Sequence, residues 1–167
     1  MLKPKVARSV RNVAAAMTLW LAFAAAADAQ HVPFTRLAGQ WAGSGTVNLA
    51  DGTHEPIKCK AAYDVLEQQK KLELNLRCAS ESYNFDLLAS AAYAAGKVTG
   101  TWSESTRNVA GTLSGRAEDG RFQVVAKSAS FSASLTLITH GDRQTVAIKS
   151  QDAQADIKGA SIILRRN

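Results

Sequence analysis

Two consecutive stretches of this chain alternate hydrophobic and polar residues with a period of two. In residues 57–65 the odd-numbered positions are all hydrophobic, and polar residues occupy most of the positions between them. In residues 72–78 the even-numbered positions are leucine or cysteine, and each intervening residue is polar. Because successive side chains of a strand point to opposite faces, this pattern is typical of strands with one buried face. We therefore predict two adjacent strands here.

The two predicted strands fit one hairpin register, in which the numbers of paired residues sum to 137. A turn at Gln68 and Gln69 pairs Val65 with Leu72, Tyr63 with Leu74, Ala61 with Leu76 and Cys59 with Cys78. A slip of one residue would move every side chain to the opposite face. Two features oppose this register. Asp64 falls opposite Glu73, a like-charge pair, and Gln-Gln is a poor tight-turn dipeptide, which leaves a longer loop open.

The first 29 residues have the three regions of a secretory signal peptide. Four basic residues precede an apolar run of about 15 residues, and Ala27-Asp28-Ala29 follows as a small-x-small cleavage site. A membrane anchor is the alternative, but a span needs about 20 apolar residues. Cleavage would leave one domain, residues 30–167, in the periplasm or outside the cell, with no membrane span. Its 16 basic and 13 acidic residues give a net charge of +3, too low and too scattered to indicate nucleic-acid binding.

Export places Cys59 and Cys78, the only cysteines, in an oxidising compartment. The even count and the hairpin register both predict a structural disulfide between them. It would close a loop of about twenty residues, worth roughly 3 kcal/mol in the chain-entropy description. The alternatives are a catalytic thiol or a zinc site, but zinc normally takes four ligands. None of the histidines (His31, His54 and His140) lies at a ligand-like spacing from the cysteines.

The rest of the chain continues as short alternating segments separated by turn residues. Hydrophobic or small residues share one parity in runs that begin at Leu37, Tyr83, Val98, Val109, Phe122, Phe131, Val146 and Ile157. Nine or ten strands at roughly ten-residue spacing are typical of an antiparallel sandwich or barrel. Residues 89–95 are alanine-rich, and their propensity favours a helix instead. The simplest all-β topology is an antiparallel up-and-down β-barrel of about 8–10 strands, because closure removes exposed sheet edges.

Many residues on the inward-facing parity are small. They include Gly43, Gly45, Ala61, Ala89, Ala91, Gly111 and Ala133. Small lining residues could leave a ligand cavity, since about eight strands already leave room for one small molecule. They could equally mark sharp coiling of the strands or a tightly collapsed interior. The sequence leaves these alternatives open.

Residues 34–41, which read Phe-Thr-Arg-Leu-Ala-Gly-Gln-Trp, resemble the start of the first strand in lipocalins and related calycin barrels. In that family a G-x-W motif places the tryptophan across one end of the barrel, and an arginine of the last strand packs on its ring. The resemblance implies that Trp41 closes one end and that Arg165 or Arg166 stacks on it, an interaction of about 0.5–2 kcal/mol. It also implies a lipocalin-like fold with an apolar ligand entering at the other end. The alternative is that Trp41 and Trp102 are ordinary core aromatic residues.

No arrangement of residues indicates catalysis. A serine nucleophile needs a positioned histidine, and the G-x-S-x-G elbow is absent. Glu104 with Asp64 or Glu73 would be the carboxylate pair of a glycosidase, but nothing in the sequence sets their separation. No phosphate loop or EF-hand is present. We therefore expect neither an enzyme nor a metal or cofactor site.

Two functions are compatible with these features. The first is an exported soluble barrel that binds a small hydrophobic ligand in its interior, with candidate lining residues Trp41, Tyr63, Tyr83, Phe85 and Trp102. The second is a non-enzymatic, inhibitor-like module that binds a protein of the cell envelope through its loops around a filled barrel. An open interior favours the first function, and a packed interior favours the second.

Overall fold

The computed structural model describes residues 32–68 and 70–167. A short 3₁₀ helix, Pro33–Arg36, precedes ten strands: β1 Gly39–Leu49, β2 His54–Leu66, β3 Lys71–Ala79, β4 Asn84–Ala94, β5 Lys97–Glu104, β6 Val109–Glu118, β7 Arg121–Lys127, β8 Ser132–His140, β9 Arg143–Ser150 and β10 Ile157–Arg166. The predicted signal peptide, residues 1–29, and His31 lie outside the described residues. Within 32–68 and 70–167, no helix has the length and apolarity needed to cross a membrane.

The ten strands form one closed antiparallel barrel. Each strand pairs with the next along the chain, and β1 closes the sheet by pairing with β10. The predicted all-β, up-and-down topology is therefore confirmed. Closure leaves each of these ten strands with two hydrogen-bonded neighbours, so none of the ten is an exposed edge that could pair with another chain.

The hairpin of β2 and β3 has the register predicted from the sequence. Tyr63 lies opposite Leu74, and Cys59 lies opposite Cys78. The like-charged pair of Asp64 and Glu73 is also present. The connection is longer than a two-residue turn, because β2 ends at Leu66 and β3 begins at Lys71. Alternation of hydrophobic residues, rather than turn chemistry, therefore determines this register.

Two local predictions need correction. The first strand begins at Gly39 and not at Leu37, because Leu37 ends the 3₁₀ helix, where its N–H donates to the carbonyl oxygen of Phe34 at 2.8 Å. Proline at the first helical position favours this short helix. The alanine-rich residues 89–95 form no helix: strand β4 extends to Ala94. Pairing with β3 and β5 on either side outweighs the helical propensity of alanine.

Burial alternates along the strands and defines an inside and an outside of the barrel. On β3, for example, Leu72 and Cys78 are buried while Glu73 and Arg77 are exposed.

The barrel has two ends. One is formed by the β2–β3, β4–β5, β6–β7 and β8–β9 connections together with the 3₁₀ helix, and we call it the closed end. The opposite end, where β1 meets β2 and β5 meets β6, we call the mouth.

Candidate ligand-binding site

The 3₁₀ helix seals the closed end with apolar side chains. Phe34 and Leu37 are 1% and 2% exposed. The Phe34 ring stacks on Phe122 with 5.8 Å between centroids, and it meets Tyr93 edge-on at 6.2 Å. Trp41 is 1% exposed, and its indole N–H donates to the carbonyl oxygen of Leu37 at 2.7 Å. We call this layer of buried side chains, Phe34, Leu37, Trp41 and Phe122, the floor of the barrel. The candidate lining residue Trp41 therefore belongs to the floor.

Arg166 holds the last strand against this floor. Its guanidinium carbon lies 4.4 Å from the centroid of the Trp41 ring. Its two terminal nitrogens donate to the carbonyl oxygens of Ala38 and Arg36, the latter at 2.8 Å. Arg165, the other arginine considered for this role, lies on the outer face and is exposed. The stacking position on Trp41 thus belongs to Arg166.

Tyr63 belongs to a buried polar chain that crosses the floor. Its hydroxyl donates to Oε1 of Gln144 at 2.8 Å, and Nε2 of Gln144 donates to Oγ1 of Thr139 at 3.3 Å. Gln144 and Thr139 have no exposed surface. Burial raises the pKa of Tyr63 above its ordinary value, although the hydrogen bond to Gln144 acts in the opposite direction. The phenol is therefore neutral and serves to join β2 to β9 across the barrel.

Toward the mouth, the interior is lined by aliphatic side chains that are only partly buried. Leu76 on β3 and Leu87 on β4 lie opposite each other and face inward. Further inward-facing residues have the same partial exposure: Val109, Leu113, Leu135, Ile148 and Ile157. Leu76 and Ile157 pack against the buried core and keep part of their surface accessible. Side chains can just fill the interior of an eight-stranded barrel, and ten strands enclose a wider interior.

The small inward-facing residues include glycines at which strands approach closely. A Cβ added to Gly43 would lie 1.9 Å from the carbonyl oxygen of Ile163 on β10, and one added to Gly111 would lie 2.0 Å from that of Lys127. No larger residue fits at such positions without moving the backbone. These glycines therefore mark positions where the backbones of two strands approach closely.

An aromatic pair and an arginine lie at the mouth. The rings of Tyr83 and Phe85 stack with 6.4 Å between centroids. The guanidinium carbon of Arg107 lies 4.6 Å from the Phe85 centroid and 5.8 Å from that of Tyr83. The structure thus brings Tyr83 and Phe85 together, far from Trp41 and Tyr63. Arg107 was missed by the sequence reasoning, because its contact depends on the path of the β5–β6 connection.

Trp102 lies inside the barrel near the same end. Its indole N–H donates to the carbonyl oxygen of Thr112 at 3.2 Å, and its ring meets Phe131 edge-on at 6.1 Å. Phe131 belongs to the connection between β7 and β8 at the mouth. Trp102 therefore lies on the inner wall close to the mouth.

Glu104 organises the β5–β6 connection beside the mouth. Its carboxylate accepts hydrogen bonds from the Thr106 hydroxyl at 2.6 Å and from the backbone N–H groups of Asp86, Thr106 and Arg107, each at 3.0 Å. Burial raises the pKa of Glu104, but these hydrogen bonds outweigh burial and lower the pKa to about 2. The ionised carboxylate also lies 3.5 Å from the guanidinium of Arg107. Glu104 thereby fixes Arg107 over the aromatic pair.

A disulfide between Cys59 and Cys78 joins β2 to β3 one residue from the mouth end of β3, with an S–S distance of 2.10 Å. The predicted cysteine pairing is confirmed. Cys78 also lies opposite Phe85 on β4. The disulfide therefore constrains the strand that neighbours the aromatic pair.

Comparison with known proteins supports the fold. No family model matches the chain, and no curated protein sequence matches it. The solved structure of Rv2717c from M. tuberculosis is similar, with a TM-score of 0.64, 10% identity, and coverage of 80% of this chain and 94% of the other. The S-type phycobiliprotein lyase CPES from Guillardia theta is also similar, with a TM-score of 0.59, 12% identity, and coverage of 80% and 90%. Both are calycin-like barrels, and this chain accordingly has a lipocalin-like fold.

Proposed function

We propose that this protein is an exported β-barrel that binds a small hydrophobic ligand in its interior, with the mouth as the route of access. The partly buried aliphatic side chains that face the interior, such as Leu76, Leu87 and Leu135, carry the proposal. Covering them with an apolar molecule removes apolar surface from water, worth roughly 25 cal/mol for each Å². Because one fold hosts many functions, the proposal is based on this interior and not on the names of similar structures.

The sealed floor supports access from the mouth. At the closed end, Phe34, Trp41 and Phe122 are all at most 5% exposed. At the mouth, Tyr83 and Phe85 are partly buried and Arg107 is exposed. Of the five candidate lining residues, Phe85, Tyr83 and Trp102 are therefore the ones that a ligand entering at the mouth would meet. No observation on the described residues supports an inhibitor-like module that binds an envelope protein through its loops.

We also propose that the protein acts by binding and not by catalysis. Glu104 is the one carboxylate buried among the described residues. A general acid near neutral pH needs a raised pKa, whereas hydrogen bonds lower that of Glu104 to about 2. His54 lies at the mouth with Nδ1 2.8 Å from the side-chain oxygen of Asn48, and His140 ends β8 at the closed end. His140 therefore lies at the opposite end of the barrel from Glu104 and His54.

Export to the periplasm or the cell exterior is part of the proposal. Its support is the signal-like sequence of residues 1–29 together with the disulfide of Cys59 and Cys78. Disulfides persist in oxidising compartments and are rare in the cytosol. Amino-terminal sequencing of the protein recovered from a periplasmic extract tests this part: a mature chain beginning at Gln30 supports it, and an intact Met1 contradicts it.

Two neighbouring leucines provide a matched test of interior binding. Leu87 faces inward, whereas Leu88 faces outward and is 53% exposed. We expect the unaltered protein to bind Nile red and long-chain fatty acids, Leu87→Trp to bind them at least tenfold more weakly, and Leu88→Trp to bind them unchanged. Tryptophan at position 87 fills the space that the ligand needs. Equal affinities for the two variants, or no binding by a monodisperse sample of the unaltered protein, would contradict the proposal.

A further inference from the structure

Four basic side chains, with one alanine between them, line up on the outer face of the barrel across five neighbouring strands. In strand register, Arg143 on β9 lies opposite Arg165 on β10, Arg165 lies opposite Ala42 on β1, Ala42 lies opposite Lys60 on β2, and Lys60 lies opposite Arg77 on β3. We call these five positions the basic row. Four steps between strands of about 4.8 Å give it a length of roughly 19 Å.

A groove runs beside the basic row on the same outer face. The next outward-facing row consists of Ile163, Ser44, Lys58 and Ala79, in register across β10, β1, β2 and β3. Between the two rows, a depression of about 780 Å³ extends over β1 to β4. Its floor includes Gly43, and small side chains such as Ala42 and Ala79 keep it open. Lys58 and Lys60 place cations on its two sides, and Arg77 at its far side pairs with Asp86, the one carboxylate of the lining.

The basic row is unfavourable for folding. Like charges directly opposite each other on adjacent strands destabilise a sheet, and the row contains two such pairs, Arg143 with Arg165 and Lys60 with Arg77. Among the described residues, Arg77 is the one member of the row that forms an ion pair, with 3.5 Å between its Nε and Oδ2 of Asp86. The remaining cations are exposed and available to an anionic partner.

We propose that this groove binds an acidic, extended segment of a partner polypeptide. Carboxylates of the segment would meet Lys58, Lys60 and Arg165. Its apolar side chains would contact the small-residue floor and Ile163, which is 41% exposed beside Arg165. The groove shares the strand segment of Phe85 with the mouth, but its cationic side chains face outward, away from the interior that carries the proposed ligand function, so either proposal can fail without the other.

The shape and composition of the surface distinguish a peptide from other anionic partners. The row covers five of the ten strands, about half of the circumference, so its cations point in diverging directions. A flat membrane surface cannot contact all of them at once, whereas a flexible chain can follow the curve. Neither row contains an outward aromatic side chain, and binding of single-stranded nucleic acid depends on aromatic stacking.

Titration calorimetry with an acetylated, amidated octapeptide of alternating Glu and Val tests the proposal. We expect binding to the unaltered protein that weakens steeply with added salt, and no binding of the Lys/Val peptide of the same length. The double variant Lys58→Glu/Lys60→Glu should bind at least tenfold more weakly. Its matched control, Lys127→Glu/Lys149→Glu, changes the net charge equally on exposed strand positions outside the groove and should bind normally.

A second measurement uses only the unaltered protein, so its result does not depend on whether the variants fold. It follows the changes in backbone amide chemical shift when the peptide is added. Addition of the Glu/Val peptide should move the amide signals of Ser44, Lys60 and Arg77 more than those of β6 to β8. Shifts elsewhere on the barrel, equal weakening in both double variants, or no binding of the Glu/Val peptide would overturn the proposal. So would equal or tighter binding of a twelve-nucleotide oligothymidylate or of phosphatidylglycerol vesicles.

Discussion

The guanidinium carbon of Arg166 lies 4.4 Å from the ring centroid of Trp41, so the last strand of the barrel holds the first strand at the closed end. The same guanidinium donates to the carbonyl oxygens of Arg36 and Ala38. A single side chain thus connects the 3₁₀ helix, β1 and β10. This contact leaves the opposite end of the barrel as the route to the interior.

We predict that Arg166→Ala lowers the free energy of unfolding by about 1–2 kcal/mol, because it removes a cation–π contact and two hydrogen bonds to backbone carbonyls. Urea denaturation followed by tryptophan fluorescence measures the change. Arg165→Ala is the matched control. Its exposed side chain lies on the outer face, and we expect a change within about 0.5 kcal/mol. Equal effects of the two substitutions would show that the stacking on Trp41 contributes nothing.

The disulfide supplies a second prediction. Cys59→Ala/Cys78→Ala should lower the free energy of unfolding by roughly 3 kcal/mol, since the bond closes a sequence separation of 19 residues in the unfolded chain. Urea denaturation under non-reducing conditions measures this difference. Intact-mass analysis of the native protein after thiol alkylation should show no label, and two labels would refute the pairing.

Glu104 predicts a specific dependence of stability on pH. Because folding lowers its pKa from an ordinary 4.5 to about 2, its stabilising contribution is fully present above pH 4.5 and is lost as the pH falls toward 2. Glu104→Gln should therefore be less stable than the unaltered protein at pH 7, by about 1–3 kcal/mol. The difference should shrink between pH 4.5 and 2. Urea denaturation at a series of pH values measures it, and a constant difference would contradict the role assigned to the carboxylate.

The basic row leads to a prediction of increased stability. Lys60→Glu replaces a like-charge pair with an opposite-charge pair across from Arg77, and it should raise the free energy of unfolding by about 0.2–1 kcal/mol. Lys127→Glu is the control, because Lys127 lies opposite two uncharged residues, Thr112 and Ser132. Thermal and urea denaturation measure both variants. A destabilised Lys60→Glu variant would show that Lys60 supports the fold.

The sequence predicts those parts of the structure that depend on pairing between strands that follow each other along the chain. The β2–β3 register follows from alternation over two short segments, and the cysteine pair agrees with it. The contact of Arg107 with Phe85 was not predictable, because it depends on how the β5–β6 connection folds back over β4. The basic row could not be predicted either, because Arg143, Arg165 and Lys60 are distant in sequence. They align only when barrel closure pairs β1 with β10.

Paramagnetic broadening of methyl NMR signals by a fatty acid that carries a nitroxide on its alkyl chain tests the interior site most directly. We predict that the methyl signals of inward-facing Leu76, Leu87 and Leu135 broaden, while those of outward-facing Leu88 and Ile163 stay sharp. Reduction of the nitroxide should restore the lost signals. Broadening of Leu88 and Ile163 with sharp signals from the three inward leucines, or no broadening at all, would contradict a ligand site inside the barrel.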